Sequence, residues 1–70
     1  MNNLQIIING EKREYFQESL LFYMQAKNIT PTTGGVAVAV NNNVIPRSQW
    51  ASFIPKPSDT IEIITAVSGG

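Results

Sequence analysis

Seventy residues with five basic and five acidic side chains, no Cys and no His, leave room for one small domain and exclude several kinds of chemistry. Disulfides, thiolate nucleophiles, imidazole bases and the usual transition-metal ligand sets are all missing. A formal charge of zero, with Lys12-Arg13 the only adjacent basic pair, argues against nucleic-acid binding, which draws on a basic stripe to release phosphate counterions.

The chain must therefore fold on packing alone. At this length the core is thin and supplies a net stability of roughly 3–5 kcal/mol, but a hydrophobic fraction of 43% is ample for it. The longest apolar runs, Leu20–Met24 and Val36–Val40, are far too short to span a bilayer. Met1-Asn2-Asn3 has neither the charged start nor the long apolar stretch of a secretion signal. The expected compartment is the cytoplasm.

The first element is a strand from Leu4 to Asn9, with β-branched residues dominant and Leu4, Ile6 and Ile8 on one face. Asn9-Gly10 is the strongest short hairpin signal, since both residues accept positive φ. The partner strand is expected from Glu11 to about Phe16. A helix follows over roughly 19–27, with Ser19 as a side-chain N-cap and an apolar stripe of Leu20, Leu21 and Met24. Lys27 suits the negative end of the helix dipole, and Asn28 a left-handed stop. The stretch 30–35, rich in Thr and Gly, reads as loop.

Val36–Val40 alternates large and small residues, so Val36, Val38 and Val40 pack on the helix while Ala37 and Ala39 line the opposite face. Asn41-Asn42-Asn43 turns the chain into a short strand at Val44-Ile45, ended by Pro46, which has no donor. Trp50 and Phe53, three apart, fit one helical turn on the core. After a rigid turn at 55–59, Thr60–Thr65 forms a last strand with Ile61 and Ile63 on one face. Two strands, a helix and three short strands fit an α+β fold with one main helix over one face of a mixed sheet of four to five strands. With the terminal strands paired in parallel, and the first hairpin and last strand central, this is the β-grasp arrangement of ubiquitin. The whole chain, residues 1–70, reads as one domain with a flexible tail at 66–70.

No internal chemistry suggests itself. Glu11, Glu14 and Glu18 lack any His partner and read as solvated. Gly34-Gly35 lacks the Lys-Ser/Thr of a phosphate loop. Ser19, Ser48 and Ser58 have no activating base, and Trp50 reads as core. Arg47 fits either water or an acidic partner. The ending, Ala66-Val67-Ser68-Gly69-Gly70, is different. Two terminal glycines arise by chance in about one chain in two hundred. They fit a frayed end or an expression remnant, but also a reactive acyl group. A carboxylate joined to AMP gains a stable leaving group, and attack at its carbonyl is least hindered beside a carbon with no side chain. Paired glycines also thread narrow channels by taking backbone angles other residues avoid.

The segments GVAVAVNNNVIPRSQW (35–50) and IEIITAVSGG (61–70), with the INGE turn (8–11), closely resemble the ThiS family of thiamine-biosynthesis sulfur carriers. The VAVAVN run, the PRSQW box and the TAVxGG ending are specific in combination. The resemblance implies a ubiquitin-like β-grasp fold and a carrier that is no enzyme itself and binds no metal or cofactor. An ATP-dependent adenylating enzyme would activate Gly70, and a persulfide, drawn from a cysteine desulfurase or an equivalent donor, would turn the adenylate into a thiocarboxylate. Thiazole synthase would then take the sulfur. Val67, Ser68 and Gly69 would thread into those partners, and no residue of the chain would be catalytic.

The sequence departs from the family at Asn42-Asn43, at Pro57-Ser58-Asp59 and at the helix end, all away from the tail. Two alternatives stay open: a carrier of another pathway, such as the small subunit of molybdopterin synthase, and a non-carrier β-grasp binding module. Ala37, Ala39 and the surface near the tail are the expected docking face.

Overall fold

The computed structural model describes residues 4–30 and 33–65. In chain order these form β1 (Gln5–Ile8), β2 (Glu11–Glu14), α1 (Leu20–Gln25), β3 (Val36–Val40), β4 (Asn43–Val44), a 3₁₀ turn (Arg47–Gln49) and β5 (Thr60–Thr65). The strands make one mixed sheet in the order β2-β1-β5-β3-β4. β1 and β5 run parallel, with Ile8 opposite Ile61, and the other pairs are antiparallel. This is the expected β-grasp, with one correction. β1 and β5 are central, whereas β2 is an edge strand with all four residues exposed. Its sequence, EKRE, gives it nothing to bury on either face.

Both tight hairpins arise from side chains that tolerate a left-handed backbone. Asn9 and Gly10 have φ of 51° and 82°, and Asn41 and Asn42 have 51° and 70°. Positive φ at both central residues is the type I′ turn, whose twist matches that of its flanking strands. Nothing lies within 4 Å of a Cβ added at Gly10, so the requirement for glycine there comes from φ alone.

The core lies between the inner sheet face and α1. Ile6, Ile8, Val38, Val40, Ile61 and Ile63 meet Leu20, Tyr23 and Met24, with Ile29, Ile45 and Trp50 closing the ends. Each such side chain stabilises the fold by about 1.5–3 kcal/mol relative to exposure. The helix's buried stripe is Leu20, Tyr23 and Met24; Leu21 is only half-buried. Leu21 sits about 100° around the helix from Leu20, whereas the i, i+3, i+4 positions share a face.

Both helix ends differ from a simple capped helix. Ser19 occupies the N-cap position, but its side chain makes no capping bond. The first amides are satisfied by the chain around the 3₁₀ turn instead: Leu20 N–H donates to the Phe53 carbonyl (2.9 Å) and Leu21 N–H to the Trp50 carbonyl (3.1 Å). At the other end Asn28 is left-handed (φ 62°). Ile29 N–H reaches back to the Met24 carbonyl and Asn28 N–H to the Gln25 carbonyl, the paired bonds of a Schellman stop. The helix proper thus ends at Gln25, before Lys27.

Two tyrosines tie the β2–α1 connection down. Tyr23 OH accepts from Phe16 N–H (2.9 Å), and Tyr15 OH donates to the Pro55 carbonyl (2.5 Å). Partial burial, reinforced by the nearby Tyr23 phenol and Asp59 carboxylate, holds the Tyr15 phenol above the ordinary tyrosine range. The folded chain therefore keeps this proton at a pH where the unfolded chain has begun to lose it. The Tyr15 contribution to stability should stay level through neutral pH and decline as pH rises past about 10. Urea unfolding across that range tests this. Tyr15→Phe should lower the urea midpoint at neutral pH and remove its share of the alkaline slope.

Candidate functional site

Ala66, Val67, Ser68, Gly69 and Gly70 lie outside the described residues, so the site is visible through the strand that carries them and the surface beside it. β5 is the central strand leading into 66–70. β3 supports it along its whole length, from Ile61 opposite Val40 to Thr65 opposite Val36.

β1 supports it only in part, because the chain reverses at Asn9 and no backbone is left to continue the parallel ladder. The last main-chain bond is Asn9 N–H to the Ile61 carbonyl (2.9 Å). From there the Asn9 side chain replaces the missing strand. Its Oδ1 accepts from Ile63 N–H (2.8 Å) and its Nδ2–H donates to the Ile63 carbonyl (3.2 Å). A carboxamide carries one acceptor and one donor side by side, the same pair that a peptide group presents.

The second hairpin repeats the device at the start of β5. Asn41 N–H donates to the Thr60 carbonyl (2.8 Å), and Asn41 Oδ1 accepts from Thr60 N–H (3.0 Å). Asn41 Nδ2–H donates to Asp59 Oδ1 (3.0 Å), while Asp59 Oδ2 accepts from Lys56 N–H (2.8 Å) and closes the turn before the strand. Both asparagines read from sequence as turn residues only. The available signal was the choice of Asn at positions where Gly turns equally well.

The outer sheet face beside this strand carries an apolar cluster with one acid, Glu62, opposite Ala39. Ala37 pairs with Ile64 and Ala39 with Val44, so the four share one face across β5, β3 and β4. Ile64 is 62% and Val44 74% exposed. The expected outward pair Ala37 and Ala39 is therefore confirmed, and it lies between two larger apolar side chains that sequence reading did not place there. Ile64 sits one residue before the end of β5.

Other candidates fall where their chemistry predicts. Glu11, Glu14 and Glu18 are exposed, and Glu11 pairs with Arg13 at 2.7 Å on the open edge strand. Trp50 is core, 2% exposed, with Nε1–H donating to the Ile45 carbonyl (3.0 Å). Arg47 lies over its ring, 4.6 Å from the centroid. Among the described residues no helix is long and apolar enough to cross a membrane.

Comparison with known proteins agrees with this geometry. The crystal structure of the thiamine biosynthesis protein ThiS from Geobacter metallireducens aligns with a TM-score of 0.74. The alignment covers 96% of this chain and 100% of that one, and at 18% identity it shows the fold alone. The Sulfur carrier protein ThiS of Escherichia coli (strain K12) is 39% identical over 36 residues, or 51% of this chain. That match spans 54% of the relative, about half its length. The model of the ThiS family matches residues 6–70, a stretch that takes in the core strands, the Asn9 turn, the PRSQW box and the terminal glycines. The chain belongs to the ThiS family.

Proposed function

We propose that this protein is a sulfur carrier for the thiazole part of thiamine, working through the carboxylate of Gly70. The observation that carries the reading is a family match that continues through residue 70 and so includes Gly69-Gly70. A described strand, β5, runs to within five residues of that end. Supporting it is the lack of internal machinery: with no Cys or His in the sequence, the chain has no nucleophile with an activating imidazole.

In this reading the chain is a co-substrate. A partner adenylating enzyme spends ATP to join AMP to the Gly70 carboxylate, releasing pyrophosphate. A persulfide, supplied by a cysteine desulfurase or similar donor, displaces AMP to form an acyl disulfide, and a thiol then cleaves its S–S bond, leaving the thiocarboxylate and a new disulfide on the donor side. Thiazole synthase then takes the sulfur. Val67, Ser68 and Gly69 thread into the partners, where the paired glycines at the end fit a narrow channel. All of this takes place in the cytoplasm.

Incubation with the adenylating enzyme, ATP and a persulfide donor tests the reading by intact mass. The expected result is replacement of one oxygen by sulfur at the C-terminus; an unchanged mass contradicts it. The pathway is tested separately by deleting the gene. The mutant should need added thiazole or thiamine, and growth without either would favour the molybdopterin alternative or a non-carrier module.

The apolar stripe of Ala37, Ala39, Val44 and Ile64 is proposed as the docking face, because it adjoins the strand that leads to the tail. Ala37→Arg and Ile64→Arg, both at exposed positions, should weaken retention on the immobilised adenylating enzyme and thiazole synthase by about tenfold or more. Undiminished retention on both would refute this face.

A further inference from the structure

We propose that Asn9 is a positioning residue for the reactive tail: its carboxamide ends the parallel ladder on β5 and fixes the direction in which the chain leaves the domain. The inference rests on the carrier reading and adds a residue to it.

The geometry separates this role from turn formation. The left-handed backbone at Asn9, φ 51°, is all that the hairpin needs, and Gly would meet it equally well. The side chain is not needed for the turn, yet it reaches across to a residue fifty-four positions away and satisfies both main-chain groups of Ile63. Among the described residues these are the last hydrogen bonds that the β1 side makes to β5. Ile63 is buried, so fraying there would expose core as well as free the strand. With the carboxamide in place, β5 is held from both sides at Ile63, two residues before its end, where β3 alone holds Ile64 and Thr65. Without it the strand end samples more directions, and threading into a partner must order them.

Asn41 supplies an internal control. Its carboxamide holds the other end of β5, accepting from Thr60 N–H and donating to Asp59, at a left-handed position that also accepts Gly. Loss of either carboxamide lowers stability, but only Asn9 lies on the tail side of the strand.

The test combines amide exchange with kinetics on the full chain. In the wild type, Ile63 N–H should exchange at least ~10-fold more slowly than an exposed amide, and Asn9→Gly should remove most of that protection. In ATP–pyrophosphate exchange by the adenylating enzyme, Asn9→Gly should raise the KM for the carrier about 5–20-fold with kcat within about twofold. Asn41→Gly should leave that KM unchanged. Asn9→Asp keeps the acceptor for Ile63 N–H and loses the donor to its carbonyl. It should give an intermediate KM, and it replaces Asn9→Gly if the glycine variant does not fold.

An unprotected Ile63 amide in the wild type overturns the proposal. So does a wild-type KM in a folded Asn9 variant, or an equal rise in Asn41→Gly, which would mark a general loss of stability. Failure of the carrier reading looks different: the wild type itself would support no pyrophosphate exchange at any concentration.

Discussion

Deleting Gly70 should abolish sulfur loading while leaving the domain folded. The deletion removes nothing from the described core, whose members end at Ile63. It draws the terminal carboxylate back by one residue, about 3.5 Å along an extended chain. A displacement of even about 1 Å costs on the order of 100-fold in a positioned reaction, so the shortened chain should show no mass change within the time that loads the full chain. Gly70→Ala keeps the length but places a methyl group beside the reacting carbonyl, and should slow loading about 100-fold on the same argument. Thermal unfolding of both variants should match the parent. A shortened chain that still gains sulfur would locate the acyl group elsewhere.

Trp50→Ala should unfold the protein at room temperature. The indole is fully enclosed, its N–H satisfies the Ile45 carbonyl and its face carries the Arg47 guanidinium. Its backbone carbonyl also receives the Leu21 amide, which ties the start of α1 to the 3₁₀ turn. Truncating a buried Trp costs about 3–5 kcal/mol, as much as a core of this size supplies in total, roughly 3–5 kcal/mol. Near-UV circular dichroism and amide dispersion in NMR spectra should both collapse. Trp50→Phe keeps most of the ring but leaves the Ile45 carbonyl without its donor, and should remain folded with a loss of about 1–3 kcal/mol.

How far the sequence foretold this structure depends on whether a signal was local. Asn9-Gly10 and the Asn41 turn were legible because positive φ is demanded of those residues themselves. β5 was legible over its full extent because TIEIIT alternates and is bounded by a Pro-rich turn. The parallel pairing of β1 with β5 entered as the condition for a central last strand, and the two strands do pair so. Non-local facts were harder to see. Ser19 had the right chemistry for a capping side chain, but the Leu20 and Leu21 amides at the helix start are taken by the distant Phe53 and Trp50 carbonyls, and the Phe22 amide by the Ser19 carbonyl. Leu21 and Tyr23 exchanged roles because the apolar character of Leu outweighed helical phase in the reading. The Asn9 and Asn41 carboxamides act across 54 and 19 positions of chain, and neither periodicity nor turn chemistry reports a contact of that kind.

The candidate site divides the same way. Ala37 and Ala39 were placed on the outer face by alternation alone, but Ile64 and Val44 join them only through the register of β5 and β4 with β3. The proposed tail chemistry rests on residue type and family membership, since an acyl carbon beside glycine needs no fold to be unhindered. The fold adds a rigid root and an adjoining apolar surface.

The central claim is that the free carboxylate of Gly70 is the group that carries sulfur. Its most direct test is a semisynthetic chain ending in a Gly70 carboxamide, compared with the free acid by intact mass after incubation with adenylating enzyme, ATP and persulfide donor. The free acid should convert to the thiocarboxylate and the carboxamide should remain unchanged. Sulfur on the amidated chain would contradict the account.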